Sequence, residues 1–297
     1  MKLLVTGATG YIGSVVVARL AEAGHEPLAL VRAGSSASRL PHGTRVVTGD
    51  AADAVGLRAA LAEAGPLDGV VHLAPSGGGA ADRAAATAFA DALRPRRGLL
   101  LWTTGVWVLG ATGPAPVDED APAAPIALVR DRADVERHVL ATAPQVRAVV
   151  VRPGVVHGRG GGIPAMLVER ARADRVGRHV GADDVTWPMV HVDDLADLYV
   201  LAVERAEAGA LLHGIAEPAV PARDVAAAAA VAAGLPAAAE PWADAADVVG
   251  APFAEALGLS QAVDAPRTRA ALGWAPTRPG AVADVAHLVG AGSASRA

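Results

Sequence analysis

Three glycines at intervals of three residues, Gly7, Gly10 and Gly13, stand in the run TGATGYIG directly after the apolar stretch LLV. Phosphate chemistry uses that pattern. One glycine permits a sharp turn, one lets the backbone approach a pyrophosphate, and one lets the next helix pack close to the strand. The first turn of that helix then directs unpaired N–H groups at the anion. The second apolar stretch ends LVRAGSS, which puts Arg32 where an acidic residue would take ribose hydroxyls. A guanidinium there suits a 2′-phosphate, so the residues favour NADP(H), with NAD(H) as the alternative. Asp50, in TGDAAD at the end of the third stretch, has the chemistry to accept from an adenine amino group or to cap a helix.

These residues need a scaffold, and the patterning supplies one. Short apolar runs (LLVTG, EPLALVR, TRVVTGD, DGVVHLAP, GLLLWTTG, VRAVVVRPG) alternate with stretches of helical period. Helices are expected near residues 14–23, 55–64, 81–93 and 130–143. Continuous apolar strands separated by helices imply a parallel sheet covered on both faces, an α/β doubly wound Rossmann core. After Gly154 the pattern loosens, which indicates a smaller C-terminal substrate lobe. The expected division is 1–155 for the core, with 185–215 returning to it, and 156–184 plus 216–280 for the lobe. Asp193 or Asp194 is the expected N-cap of a helix over 195–206, and Asp224 opens an Ala-rich helix that ends near Gly234.

The 297 residues are 52% hydrophobic and 19% charged, with a formal net charge of −5. That balance excludes a disordered chain and argues against nucleic acid or an anionic membrane surface as partner. The absence of Cys rules out disulfide and thiolate chemistry and fits a reducing, cytoplasmic setting. The N-terminal apolar run is short and broken by Gly, so it reads neither as a signal peptide nor as a membrane span. The nine His form no HExxH motif and no Cys accompanies them, so no metal site is expected.

Taken in order, TGATGYIG, GDAAD, VVHLAP, WTTGVWVLG, VRPGVVHGRGGG, VHVDDLADLYVLA and RAALGWAP resemble the extended short-chain dehydrogenase/reductases, the NAD-dependent epimerase/dehydratase group. The resemblance runs from Lys2 to about Pro279. It implies that Gly7, Thr9, Gly10, Tyr11, Ile12 and Gly13 surround the pyrophosphate, with Arg32, Asp50 and Ala51 at the adenosine end. It also implies that Leu73, Ala74 and Pro75 line the cofactor after the fourth strand. Thr103, Arg132, Pro153, Gly154 and Val155 then belong beside the nicotinamide. A homodimer through two core helices is the usual family arrangement.

The reactive centre departs from that family's pattern of Ser or Thr, a Tyr proton donor, and a Lys four residues later. Thr104 in TTG occupies the Ser/Thr place. The Tyr place falls on Leu128 or Val129 and the Lys place on Arg132 or Ala133. The chain has two Tyr, Tyr11 and Tyr199, and one Lys, Lys2, so no Tyr-x-x-x-Lys pair exists anywhere in it. Arg132 can bond ribose hydroxyls but is a poor acid. Asp131 flanks the vacant Tyr place. Trp107 and His157 stand where the family often has Tyr, and His157 has a suitable intrinsic pKa for proton transfer. The catalytic candidates are therefore Thr104, Arg132, Asp131 and His157, with Trp107, Leu128 and His157 toward a small-molecule substrate. The expected activity is NADP(H)-dependent reduction or oxidation of a small, fairly apolar carbonyl or imine. The alternatives are a non-redox isomerase, cyclase or lyase that retains the cofactor structurally, or a non-enzymatic NADP(H)-binding regulator.

Overall fold

A computed structural model describes residues 1–74 and 77–290. Its centre is a seven-stranded sheet, all of whose pairings are parallel, built from β1 (Lys2–Thr6), β2 (Glu26–Val31), β3 (Arg45–Thr48), β4 (Gly69–His72), β5 (Leu99–Thr103), β6 (Arg147–Pro153) and one later strand. The helices between them are α1 (Tyr11–Glu22), α2 (Ala54–Ala64), α3 (Gly79–Leu93) and α4 (Arg132–Leu140). The apolar runs are continuous because both sheet faces are covered. Leu3, Val5, Leu99 and Leu101 face one buried cluster, and Leu4, Val70, Leu100 and Trp102 face the other. Fully burying each such side chain contributes about 1.5–3 kcal/mol. The doubly wound Rossmann sheet expected from the alternation is the observed one.

The second half of the chain interleaves two structures. β7 (Val155–His157), α5 (Gly162–Asp174), β8 (Gly177–His179) and β9 (Thr186–His191) leave the core. α6 (Val192–Arg205) then packs against α1, and β10 (Ala210–Gly214) pairs with β6 to complete the large sheet. β11 (Glu217–Pro221), α7 (Ala222–Ala232), β12 (Ala239–Pro241), α8 (Ala245–Val249), α9 (Ala251–Leu257), α10 (Pro266–Leu272) and α11 (Ala281–Ala286) follow. A separate three-stranded sheet, β11-β9-β7, and helices α5, α7 and α11 enclose their own apolar cluster around Trp187, Met189 and Leu257.

Two expectations need correcting. β9 pairs with β7 and β11, so the return to the core begins at α6, not at residue 185. An apolar run shows that a strand is buried but not which sheet it joins. The cap of α6 is His191, whose Nδ1 accepts from the Asp193 N–H at 3.1 Å. Asp193 instead takes Arg159, and Asp194 accepts from the N–H groups of Thr277 and Arg278. With the Trp274 Nε1–H donating to the Asp194 carbonyl, this pins the C-terminal segment to α6.

Strand order places β2 and β3 on one side of β1, and β4, β5, β6 and β10 on the other. The chain reverses direction across the sheet between β1 and β4, and the crevice beyond the carboxyl ends of such a pair is where open α/β sheets take ligands.

Candidate active site

The glycine turn sits in that crevice. Gly7 has φ +66°, and a Cβ there would lie 2.6 Å from the Leu73 carbonyl carbon. A Cβ on Gly13 would lie 2.0 Å from the Gly7 oxygen. The turn is therefore as close as backbone can come, both to the β4 loop and to the first turn of α1. Gly10 caps α1 without a side-chain bond, so no side chain occupies the first N–H groups. Thr6 fixes the floor. Its hydroxyl accepts from the N–H groups of Leu73 and Ala74, both at 3.2 Å, and donates to His72 Nδ1 at 2.9 Å.

A cavity of about 410 Å³ opens over this turn. Its wall brings together Gly7, Thr9, Gly10, Tyr11, Ile12, Gly13, Arg32, Asp50, Ala51, Leu73 and Ala74 from the sequence-predicted set, with Ser35 added. Pro75 lies outside the described residues. The bare helix start, the glycine cradle and the exposed Arg32 beside Ser35 fit a dinucleotide with its phosphates on the turn.

A second cavity of about 250 Å³ shares Tyr11 and Ile12 with the first. Thr103, Thr104, Trp107, Arg132, Pro153, Gly154 and Val155 of the sequence-predicted set line it, and Val106, Val156, Gly162 and Ile163 complete an apolar wall. Trp107 is held edge-on against Phe253, with ring centres 6.1 Å apart.

The structure brings the other candidates elsewhere. Leu128 is 42% exposed and lines neither cavity, and Val129 is buried in the core. Asp131 accepts from the Gly79 N–H at 3.2 Å, which ties it to the start of α3. His157 is buried and lines neither cavity. Its Nδ1 lies 3.0 Å from Asp284 Oδ2, and its ring meets His191 edge-on at 5.1 Å. His157 and Asp131 thus lie outside the lining of both cavities.

His157, His191 and Asp284 place ligand-type atoms within 4.8 Å of one another, a grouping that motif spacing does not reveal. Hydrogen bonding accounts for it. Because His191 Nδ1 accepts a backbone N–H, its proton sits on Nε2, facing Asp284. Burial alone would raise the Asp284 carboxyl, but the hydrogen bond from His157 and the histidines around it carry it below the usual carboxylate range.

Neither phenol is a free acid. Tyr11 donates to the Gly158 carbonyl at 2.7 Å, and burial with the charges of Asp284 and Asp193 raises its pKa well above the ordinary value. Tyr199 is fully buried on α6 and shares a 2.5 Å bond with the Thr103 hydroxyl. Burial raises its pKa as well.

Thr104 is backed by a buried ion pair that motif spacing does not reveal. Thr104 Oγ1 donates to Glu136 Oε1 at 2.5 Å, and Arg152 grips both oxygens of that carboxylate, at 2.9 and 2.5 Å. Glu136 and Arg152 are buried, with side chains 3% and 5% exposed. Arg132 Nη1 donates to the Thr104 carbonyl at 2.8 Å. The sequence carried a signal. Arg152 interrupts the apolar strand AVVVRPG, and a charge buried in a central strand demands a partner.

The comparisons agree with this geometry. The profile of the NAD dependent epimerase/dehydratase family matches residues 3–96. A Streptomyces 3-diazoavenalumate denitrifying reductase is 32% identical, over 94% of this chain and 97% of its own. A Corynebacterium glutamicum UDP-glucose 4-epimerase is 29% identical over 70% of this chain and 73% of its own. In fold, the chain is similar to a Thermus thermophilus UDP-glucose 4-epimerase solved with NAD, at 22% identity and a TM-score of 0.79, covering 98% and 100% of the two chains. A glycine turn at the sheet's switch point, a Thr at the end of β5 and full-length similarity to such a reductase lead to one conclusion: the chain belongs to the NAD-dependent epimerase/dehydratase family.

Proposed function

We propose that this protein is an NADP(H)-dependent oxidoreductase acting on a small, fairly apolar carbonyl or imine, without a tyrosine acid. The observation that carries this reading is the second cavity. It is apolar, adjoins the dinucleotide cradle through Tyr11 and Ile12, and holds Thr104 and Arg132 but no free phenol. Its volume of about 250 Å³ suits a molecule of one or two rings.

When bound, the reduced nicotinamide would supply a hydride; an iminium carbon takes it with the C=N π pair moving to nitrogen, so no acid is required. The residues of the chain do the positioning. The glycine turn and the start of α1 hold the phosphates, Arg32 takes a 2′-phosphate, and Arg132 reaches the ribose from the Lys place. Trp107, Val155, Val156 and Ile163 exclude water from the acceptor. The Streptomyces relative is named a reductase, which favours reduction over epimerisation. An epimerase would need a proton shuttle at a sugar hydroxyl, and neither tyrosine is placed to give one.

Two measurements test this. With NADPH and a panel of small imines and ketones, the absorbance of reduced nicotinamide is expected to fall with stoichiometric product. Arg32→Ala is expected to weaken NADPH binding about ten- to hundredfold, the value of a charge-assisted bond, while leaving NADH binding within about twofold. Equal loss for both cofactors would contradict the NADP(H) assignment.

A further inference from the structure

The hydroxyl of Thr104 has one proton, and that proton is already used. Glu136 takes it at 2.5 Å. The carboxylate is forked by Arg152, through Nε and Nη2, inside the protein, so it is an acceptor and Thr104 is the donor. What Thr104 retains for a ligand is its lone pairs. A Ser or Thr in this position would ordinarily be expected to donate to a carbonyl oxygen. Here, doing so would break a bond to a buried charge, whose loss costs more than that of a neutral bond.

We infer that Thr104 is a hydrogen-bond acceptor toward the second cavity, and that the site therefore selects an acceptor molecule with an N–H donor beside its electrophilic carbon, an N–H iminium, over the matching ketone. The inference rests on the reading of the second cavity as the place of the hydride acceptor. It deepens that reading by fixing the polarity of the group the cavity recognises.

The surroundings agree. Around Thr104 the charges of Arg132 and Arg152 face those of Glu136 and Asp82, two of each sign, so no net charge turns a cation away. Trp107 offers an aromatic wall in the same cavity, and a cation is attracted to an indole face. Thr103, the neighbouring hydroxyl, is engaged with Tyr199.

The test is binding rather than turnover. The protein is saturated with the tetrahydro analogue of NADPH, which cannot release a hydride. Titration calorimetry then compares 3,4-dihydroisoquinoline, in mildly acidic buffer that keeps its nitrogen protonated, with 1-tetralone. Thr104→Val is expected to weaken the iminium about ten- to hundredfold and the ketone less than twofold. Thr104→Ser is expected to keep the wild-type preference. The paired change Glu136→Leu with Arg152→Met replaces the ion pair with apolar groups, a swap that buried pairs often tolerate, and frees the hydroxyl proton. In that variant the ketone is expected to gain affinity and the iminium to lose it.

The inference is overturned if Thr104→Val weakens the ketone as much as the iminium, or if wild-type protein binds neither ligand. Failure of NADPH oxidation on every substrate, with the donor preference intact, would instead count against the redox reading alone.

Discussion

His72 is enclosed between Trp102, stacked at 3.8 Å, and Phe89, and accepts the Thr6 hydroxyl proton beneath the glycine turn. Burial, with the charge of Arg132 added, lowers its pKa from 6.5 to about 3. The folded protein therefore keeps this imidazole neutral while the unfolded chain protonates it. Its contribution to stability is complete above about pH 6.5 and is lost as pH falls toward about 3, by about 1.4 kcal/mol per pH unit. Denaturant unfolding across that range is expected to show the slope, and His72→Phe to flatten it even though that variant is less stable at neutral pH. An unchanged slope would refute a neutral His72. Tyr199→Phe is expected to cost about 1–3 kcal/mol of stability, since Thr103 loses its partner, with no change in the rate of reduction. At this scale the sequence was legible for residues on the glycine turn and the strand ends, whose side chains or backbone must face the crevice. It was not legible for His157, because Asp284, which bonds the ring, lies 127 positions further along the chain. Glu136 was hidden for a different reason: on α4 it resembles any solvated helix acid until β6 brings Arg152 against it.

At the scale of elements, the β1–turn–α1 unit was readable from its residues alone. The glycine spacing, the apolar strand before it and the helical period after it all require the same geometry. The structure adds the reason for the last glycine, which has no room for a Cβ against the Gly7 oxygen. Gly13→Ala is accordingly expected to lower stability by more than about 2 kcal/mol and NADPH affinity by more than about a hundredfold, measured by unfolding and by titration. Normal affinity in that variant would mean that the turn is not the phosphate cradle. Helix existence was recovered from periodicity, whereas helix starts were not. α1 begins at Tyr11, directly after the cradle, and α6 begins at Val192 under a histidine cap. A histidine Nδ1 offers the same lone pair to a backbone N–H as a carboxylate, yet cap preferences point to the aspartates that follow it. The sheet that β9 joins was not readable either, because pairing partners are chosen by tertiary packing and not by local hydrophobicity.

At the scale of the molecule, the crossover direction makes the function intelligible. Strand order opens the crevice between β1 and β4, the cradle fills its near end, and the three-stranded sheet with α5 brings Val155, Val156 and Ile163 over its far end. The two cavities meet at Tyr11 and Ile12, so a ligand on the phosphate turn reaches the wall formed by Thr104 and Arg132. The family and the fold were evident from the order of the motifs, and so was the lack of a Tyr-Lys pair. The buried ion pair behind Thr104 was not, because it forms only when α4 and β6 pack together. The proposed reaction is hydride transfer in a site without a phenolic acid. Single-turnover mixing of the NADPH complex with a cyclic iminium, in wild type and in the Tyr11→Phe and Tyr199→Phe variants, tests it most directly. The account predicts that reduced nicotinamide disappears with one equivalent of amine formed, at rates within about threefold among the three proteins, since no acid step is removed. Unconsumed NADPH in the wild type, or a rate lost on removing either phenol, would contradict it.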